Sequence, residues 1–342
     1  MKITQVIDQL GIGGAERVCV NLCNLFVRNE HEVKLIVFDQ IGQLFDLLDE
    51  RVDVVILDKK KSKFKAYKKF TQEVQDADIV HVHMRQVYRF VQKAFLLFGG
   101  RGRKIVFHDH YGKIAVKKHV PMFYRTIFKP KVYIGCSALL TDWAINNVKM
   151  KPENVFMINN FVAQYATNSD ESAQGWVMTG NLKPVKNHEF AIRFAAEMGK
   201  ELSIYCAEAE GEYYEKLCKL IQTLNYEDKI HFKTGCFNVQ PELKRYEFAL
   251  LPSVSEGDPL VIVEYLAQGI PFLVSDVGES VKIIQKHYPF LVQKDYNIEN
   301  WKENYAKAIR LKDKEIKTLY RNYFSEDLFL EKYMTVYQKV LS

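Results

Sequence analysis

The chain has 342 residues, 48% of them apolar and 26% charged, with a formal net charge of +6. That length sets an expectation of about two domains, and the composition excludes disordered, fibrous and disulfide-scaffold classes. No window holds the roughly 18 uncharged apolar residues of a membrane span. Met1-Lys2-Ile3-Thr4-Gln5-Val6 enters a strand directly rather than an apolar leader, so the expected location is the cytoplasm.

Strand and helix patterns alternate from the first residue. Short β-branched runs at 2–7, 33–38, 53–57, 78–82, 104–107, 132–135 and 155–158 read as buried parallel strands. Segments 14–29, 86–98 and 137–147 between them carry helical spacing. Ala163 to Gly175 is polar and small, and reads as a linker. Alternation restarts at Trp176, with strands near 201–205, 229–233, 248–251 and 271–274 and a last helix over 325–342. Such alternation implies two α/β units with parallel sheets covered on both faces. Charge divides along the same line: residues 1–170 carry 26 Lys+Arg against 17 Asp+Glu, a net +9, and the remainder is at −3.

The stretch Ser253 to Glu264, S-V-S-E-G-D-P-L-V-I-V-E, follows an apolar strand run. The spacing places Glu256 at a strand-to-helix turn and Glu264 about two turns along the helix, near one side of it. Loops outside the carboxyl ends of parallel strands are where open α/β sheets bind ligands. Ionised carboxylates only accept hydrogen bonds, so a pair of them there suits a ligand rich in hydroxyls.

Gly11-Ile12-Gly13-Gly14-Ala15-Glu16 follows the first strand and opens a helix, whose N-terminus favours anions. A dinucleotide fingerprint needs glycine where Glu16 stands. Asp39, ending the second strand, keeps a dinucleotide-dependent oxidoreductase open as an alternative. A merely structural tight turn is the plain reading. In Gly180-Asn181-Leu182-Lys183-Pro184-Val185-Lys186-Asn187, Lys186 sits on a post-strand loop suited to a diphosphate, a solvated surface lysine being the plain alternative. His81 and His83 alternate with valines and share one strand face. Their spacing suits a metal, but no third ligand is evident, so a half-buried hydrogen-bonded pair is favoured. His108-Asp109-His110 ends another strand. The six cysteines form no C-x-x-C pair. Cys19 and Cys23 offer half a metal site that nothing completes. No metal site and no cofactor are expected.

Taken in order, these motifs resemble the retaining glycosyltransferases of the GT-B fold, group 1 or family 4 type. Glu256 and Glu264 match the E-x7-E signature. Gly13-Gly14-Ala15-Glu16-Arg17 looks like the family's glycine loop, and Asp78-Ile79-Val80-His81-Val82-His83 like its "DIVHVH" strand. Gly180-Asn181-Leu182 with Lys186-Asn187-His188 resembles the "GRL…KN" loop, and Ala267-Gln268-Gly269-Ile270-Pro271 the "A-x-G-x-P" after the second glutamate.

The resemblance implies an α/β GT-B fold with two Rossmann-like domains facing a cleft. Residues 1–165 would bind the acceptor and 166–324 the nucleotide sugar, with helix 325–342 crossing back to the first domain. It implies donor contacts from Gly13, Gly14, Asn181, Lys183, Lys186, Gly257, Asp258, Pro259, Leu260 and Glu264, with Glu16 a further candidate. Glu256 would meet sugar hydroxyls, Glu264 the ribose, and Lys186 the diphosphate. A histidine contacts the transferring centre, matched best by His108, or by His110 if the strand end is shifted. A UDP-sugar is the expected donor, transferred without a metal and with retention. The family's usual arginine after the glycine is Asn181 here, which keeps a non-catalytic GT-B protein as a second alternative.

Lys59, Lys60, Lys61, Lys63, Lys65, Lys68 and Lys69 place seven lysines within eleven residues, interleaved with Phe64, Tyr67 and Phe70 at helical spacing. Such a basic helix can rest on an anionic membrane. Arg85, Arg89, Lys113, Lys117 and Lys118 add to the field. The expectation is peripheral association with the inner face of the cell membrane, a lipid-linked or lipopolysaccharide acceptor, and no nucleic-acid partner. The wider role expected from the resemblance is synthesis of capsule, exopolysaccharide or lipopolysaccharide.

Overall fold

The β-branched runs of the first half form seven parallel strands of one sheet: β1 (Lys2–Val6), β2 (Glu32–Val37), β3 (Asp53–Ile56), β4 (Ile79–His83), β5 (Ile105–Asp109), β6 (Val132–Gly135) and β7 (Val155–Met157). Their order is β3-β2-β1-β4-β5-β6-β7. Helices α1 (Gly14–Arg28), α2 (Lys63–Glu73), α3 (Arg85–Phe98) and α4 (Ala138–Asn146) make the crossovers. The structure, a computed structural model, describes residues 1–39, 42–100, 102–112, 114, 118–165 and 173–342. Part of the Ala163–Gly175 segment, Lys113 and Lys117 lie outside the described residues.

The second half repeats the plan. Strands β8 (Trp176–Thr179), β9 (Leu202–Tyr205), β10 (Ile230–Lys233), β11 (Phe248–Leu251), β12 (Phe272–Ser275) and β13 (Val292–Gln293) form a parallel sheet in the order β10-β9-β8-β11-β12-β13. Helices α5 (His188–Glu197), α6 (Glu212–Thr223), α7 (Leu260–Gln268), α8 (Glu279–His287), α9 (Ile298–Ala308) and α10 (Asp313–Tyr323) accompany it. The last helix, α11 (Glu326–Leu341), belongs to the first unit, which comprises Met1–Phe161 and Glu326–Ser342; the second unit is Val162–Ser325. Both units are therefore Rossmann-like, as the alternation implied. No helix among the described residues is long and apolar enough to cross a membrane.

In each sheet the strand order reverses once, between β1 and β4 and between β8 and β11. Chains leaving the two central strands turn to opposite sides there and open a crevice at the carboxyl ends. The loops after β1, β8 and β11, which carry the glycine, lysine and glutamate candidates, leave from those switch points, whereas His108 and His110 belong to β5 and the loop after it.

Helix α7 begins at Leu260, so Glu264 lies just over one turn into it and Glu256 stands four residues outside it. This corrects the two-turn expectation: the Gly257-Asp258-Pro259 turn stays non-helical, and Pro259 caps the helix. Gly278 holds that turn closely. Its φ is +99°, and a Cβ there would meet Pro259 Cδ at 2.5 Å. Gly278→Ala is expected to lower stability by about 1–3 kcal/mol, the usual cost of a side chain in that backbone region. An unchanged urea midpoint for the variant would contradict the tight packing.

Candidate active site

The second unit's switch point is built from two loops tied together. After β8, Gly180 to Lys183 runs into a short 3-10 turn, Pro184–Lys186. Asn187 then takes left-handed backbone angles (φ 56°, ψ 47°), which end the turn and start α5. His188 donates from Nε2 to the Gly180 carbonyl at 3.2 Å and pins the loop back on its strand. Burial pushes the His188 pKa down to about 4, so its ring is neutral near pH 7. After β11, the Val254 N–H donates to the Val185 carbonyl at 2.8 Å, joining the second loop to the first.

On this frame Lys186 Nζ lies 2.6 Å from Glu256 Oε1, with side chains only 20% and 13% exposed. Ser253 Oγ donates to the same carboxylate oxygen at 2.7 Å. The Ser253 carbonyl in turn accepts from Tyr296 Oη at 2.9 Å and from Ser275 Oγ. The structure thus brings together Lys186 and Glu256, both named from the sequence, and adds Ser253, which the i,i+3 spacing in S-V-S-E could have signalled. Glu264 is buried at 8% exposure on α7. The first turn of α7 holds no acidic residue.

Other candidates in this unit have internal duties. Asn181 Oδ1 accepts from the Ala207 N–H at 3.2 Å, so the residue replacing the usual arginine ties the β8 loop to the β9 loop. The Asp258 carboxylate accepts from the Ser280 N–H at 2.9 Å and from Ser280 Oγ, and so anchors the start of α8. Lys183 is exposed; Gly257 and Leu260 are half-buried and Pro259 is buried.

In the first unit, Gly13 caps α1 and Gly14 is its first residue. The Glu16 carboxylate folds over Gly13 so closely that a Cβ on Gly13 would lie 2.3 Å from Glu16 Oε2. Burial raises the Glu16 pKa, with Asp8 adding repulsion. An acidic group thus occupies the place a pyrophosphate takes in a dinucleotide site. Asp39 accepts from the Lys60 backbone N–H. Neither arrangement favours the oxidoreductase alternative.

His81 and His83 are fully buried rather than half-buried, and β5 brings His108, also at 0% exposure, beside them. The parallel register sets His83 opposite His108 and Gln5 opposite His81. His81 Nε2 lies 3.2 Å from His108 Nδ1, and His83 Nδ1 lies 3.1 Å from His110 Nε2. Gln5 Oε1 accepts from His83 Nε2 at 2.8 Å, and His81 Nδ1 meets Tyr337 Oη of α11 at 2.6 Å. The third histidine that the sequence did not reveal is therefore present, because strand register cannot be read from one strand alone. It also means His108 has no surface with which to touch a ligand here, whereas His110, past the strand end, stays partly exposed.

Asp109 points to the opposite face and was missed. Arg85 donates to Asp109 Oδ2 from Nε at 2.9 Å and from a terminal nitrogen at 2.7 Å, and Tyr133 Oη donates at 2.9 Å. The guanidinium lies 4.2 Å from the Tyr111 ring centre and 4.1 Å from that of Trp143. Arg85 is thus internal and adds nothing to the surface field expected of it. On α2, Tyr67 and Phe70 are core residues, while Phe64 is 64% exposed among exposed Lys61, Lys63, Lys65 and Lys68.

Comparison with known sequences agrees with this geometry. Residues 12–163 match the profile described as Glycosyltransferase Family 4, and residues 165–323 that described as Glycosyl transferases group 1. An uncharacterized glycosyltransferase of Haemophilus influenzae is 22% identical over 293 residues, covering 80% of each chain. An Anabaena protein, Alr3699/HepE, solved in complex with UDP and glucose, superposes with a TM-score of 0.78 at 15% identity over 99% of this chain and 100% of that one. The apo form of the lipopolysaccharide outer core galactosyltransferase WaaB superposes at 0.68, with 18% identity over 98% and 99% of the chains. The fold and the paired family matches define a glycosyltransferase built of two Rossmann-like units. The chain belongs to the GT-B glycosyltransferases.

The buried histidines make the fold sensitive to acid. Burial holds the His81 and His110 pKa values down to about 3 and those of His83 and His108 well below the usual value. Below about pH 6.5 the unfolded chain therefore binds protons that the folded chain refuses, so stability falls with pH. Well below pH 6.5, each fully buried histidine removes roughly 1.4 kcal/mol per pH unit. The urea midpoint is expected to drop steeply between pH 7 and pH 5, above the range where carboxylates titrate; a flat profile there would contradict the neutral cluster.

Proposed function

We propose that the protein is a retaining, metal-independent glycosyltransferase that moves a sugar from a nucleoside diphosphate sugar to a lipid-linked glycan acceptor. A UDP-sugar is the donor, and the pathway is surface-polysaccharide synthesis, of the capsule, exopolysaccharide or lipopolysaccharide type. The observation that carries the reading is the Lys186–Glu256 pair across the switch point of the second unit. A charged donor can displace both halves of that pair at once: Lys186 turns to the diphosphate, and Glu256 accepts from the sugar hydroxyls. Glu264 accepts from the ribose hydroxyls. The N–H groups at the start of α7 add positive potential.

The leaving group is a diphosphate, so the main catalytic need is to stabilise the negative charge that develops on it. Lys186 supplies that charge, with loop N–H groups and exposed Lys183 assisting. The acceptor hydroxyl forms its bond to the anomeric carbon on the face from which the diphosphate departs. Its proton leaves with the phosphate, and configuration is kept. His110, partly exposed at its strand end, replaces His108 as the histidine to assign to the transferring centre. The solved UDP-bound state of the Anabaena protein and the name of the lipopolysaccharide galactosyltransferase support the donor and pathway readings. The exposed lysines around Phe64 support docking on the anionic inner face of the cell membrane.

Incubation with UDP-sugars, read by mass spectrometry for released UDP, tests this directly. Lys186→Ala is expected to lower turnover roughly 10²–10³-fold, the range seen when one transition-state donor is removed. Glu256→Gln is expected to lose turnover while its unfolding free energy from urea titration stays within about 1 kcal/mol of wild type, since an amide preserves shape and one acceptor oxygen. Wild-type turnover in either variant would overturn the assignment, and a collapsed fold in Glu256→Gln would make that residue structural.

A further inference from the structure

We propose that the buried histidines of the first unit form a site for a late first-row divalent transition metal ion, ligated by His81, His83 and His108. One ligand nitrogen from each of the three lies within 4.8 Å of the others. His81 Nε2 and His108 Nδ1 are 3.2 Å apart. Two imidazoles on one tetrahedral zinc, with Zn–N near 2.0–2.1 Å, hold their nitrogens about 3.4 Å apart, so hydrogen-bonded and metal-bound arrangements differ by tenths of an ångström.

The far side of two of the three rings, those of His81 and His83, is arranged as a metal site requires. Gln5 Oε1 accepts from His83 Nε2 at 2.8 Å, which protonates that nitrogen and leaves Nδ1 with its lone pair. Tyr337 Oη lies 2.6 Å from His81 Nδ1, and by accepting from it would leave Nε2 to ligate. Ligating histidines almost always carry such an outer partner on the second nitrogen. His108 Nε2, by contrast, is buried with no hydrogen-bond partner.

The chemistry selects the ion. Asp109, the acid between His108 and His110, faces Arg85 on the other side of the sheet. A donor set of neutral imidazoles suits Zn²⁺, Ni²⁺ or Cu²⁺ rather than Mg²⁺ or Ca²⁺. The fourth position falls to a water-derived ligand or to His110, whose ring centre lies 4.0 Å from that of His108 and whose edge is partly exposed. Through Tyr337 the ion would clamp α11 onto the sheet, a structural role distinct from donor activation.

The test uses the full chain without a polyhistidine tag, stripped with chelator and titrated with CoCl₂ and ZnCl₂. The expected result is one Co²⁺ per chain with the strong visible absorption of a tetrahedral site, bleached by Zn²⁺, and a melting temperature raised by ZnCl₂ but not by MgCl₂. His83→Asn removes the absorption. Tyr337→Phe keeps all three ligands and weakens binding about 10–100-fold, as loss of an outer partner does, which covers the case in which the ligand variant does not fold. His119→Asn, on the surface, changes nothing. Weak octahedral-type absorption, less than stoichiometric binding, or dependence on His119 would overturn the site and leave a hydrogen-bonded cluster of neutral imidazoles.

Discussion

The second unit turns on one ion pair, Lys186 with Glu256, at 2.6 Å across the point where the strand order reverses. Its two members come from loops 70 residues apart in the chain. Each is set by its own device: the left-handed Asn187 after the 3-10 turn, and the Ser253 hydroxyl on the carboxylate. The Val254–Val185 backbone bond then fixes one loop against the other. A cation and an anion largely removed from water need partners. Held on each other, the two side chains satisfy both charges within the protein.

The first unit solves a different problem with the same sheet plan. One face of β4, with Val80 and Val82, meets the apolar core with Phe90, Phe95 and Phe107. The other carries Gln5, His81, His83 and His108 beneath Tyr333 and Tyr337 of α11. A polar layer at the heart of a sheet is stable only when its members satisfy one another. Here the last helix, sixteen residues at the far end of the chain, supplies part of that satisfaction. The Arg85–Asp109 pair does the equivalent on the opposite face, with two aromatic rings around the guanidinium.

Much of this was legible in the sequence. Buried parallel strands read as short β-branched runs, so β4 expected at 78–82 is found at Ile79–His83 and β11 at its expected 248–251. Only two residues long, β13 carries too little pattern to be seen. Lys186 and Glu256 were legible because their motifs survive within a few residues. Ser253 on Glu256, Asn181 on Ala207 and Asp258 on Ser280 were not, since side-chain partners depend on how loops meet in space. The histidine cluster shows the limit most clearly. Alternation put His81 and His83 on one face, but only the register between β4 and β5 brings His108 beside them and withdraws it from the surface. The alternating aromatics of the basic helix likewise divided, with Phe64 outward and Tyr67 and Phe70 inward.

The central claim is that the Lys186–Glu256 switch point binds a nucleoside diphosphate sugar. The most direct measurement is thermal shift of the wild-type protein and Lys186→Ala with UDP, GDP, ADP, CMP, dTDP and NAD at millimolar concentration. A ligand at 100 times its Kd stabilises by about 2.7 kcal/mol, a rise of several degrees for a domain of this size. A rise with UDP that is largely lost in Lys186→Ala is the expected result. A rise with NAD alone, or a UDP shift that Lys186→Ala leaves intact, would contradict it.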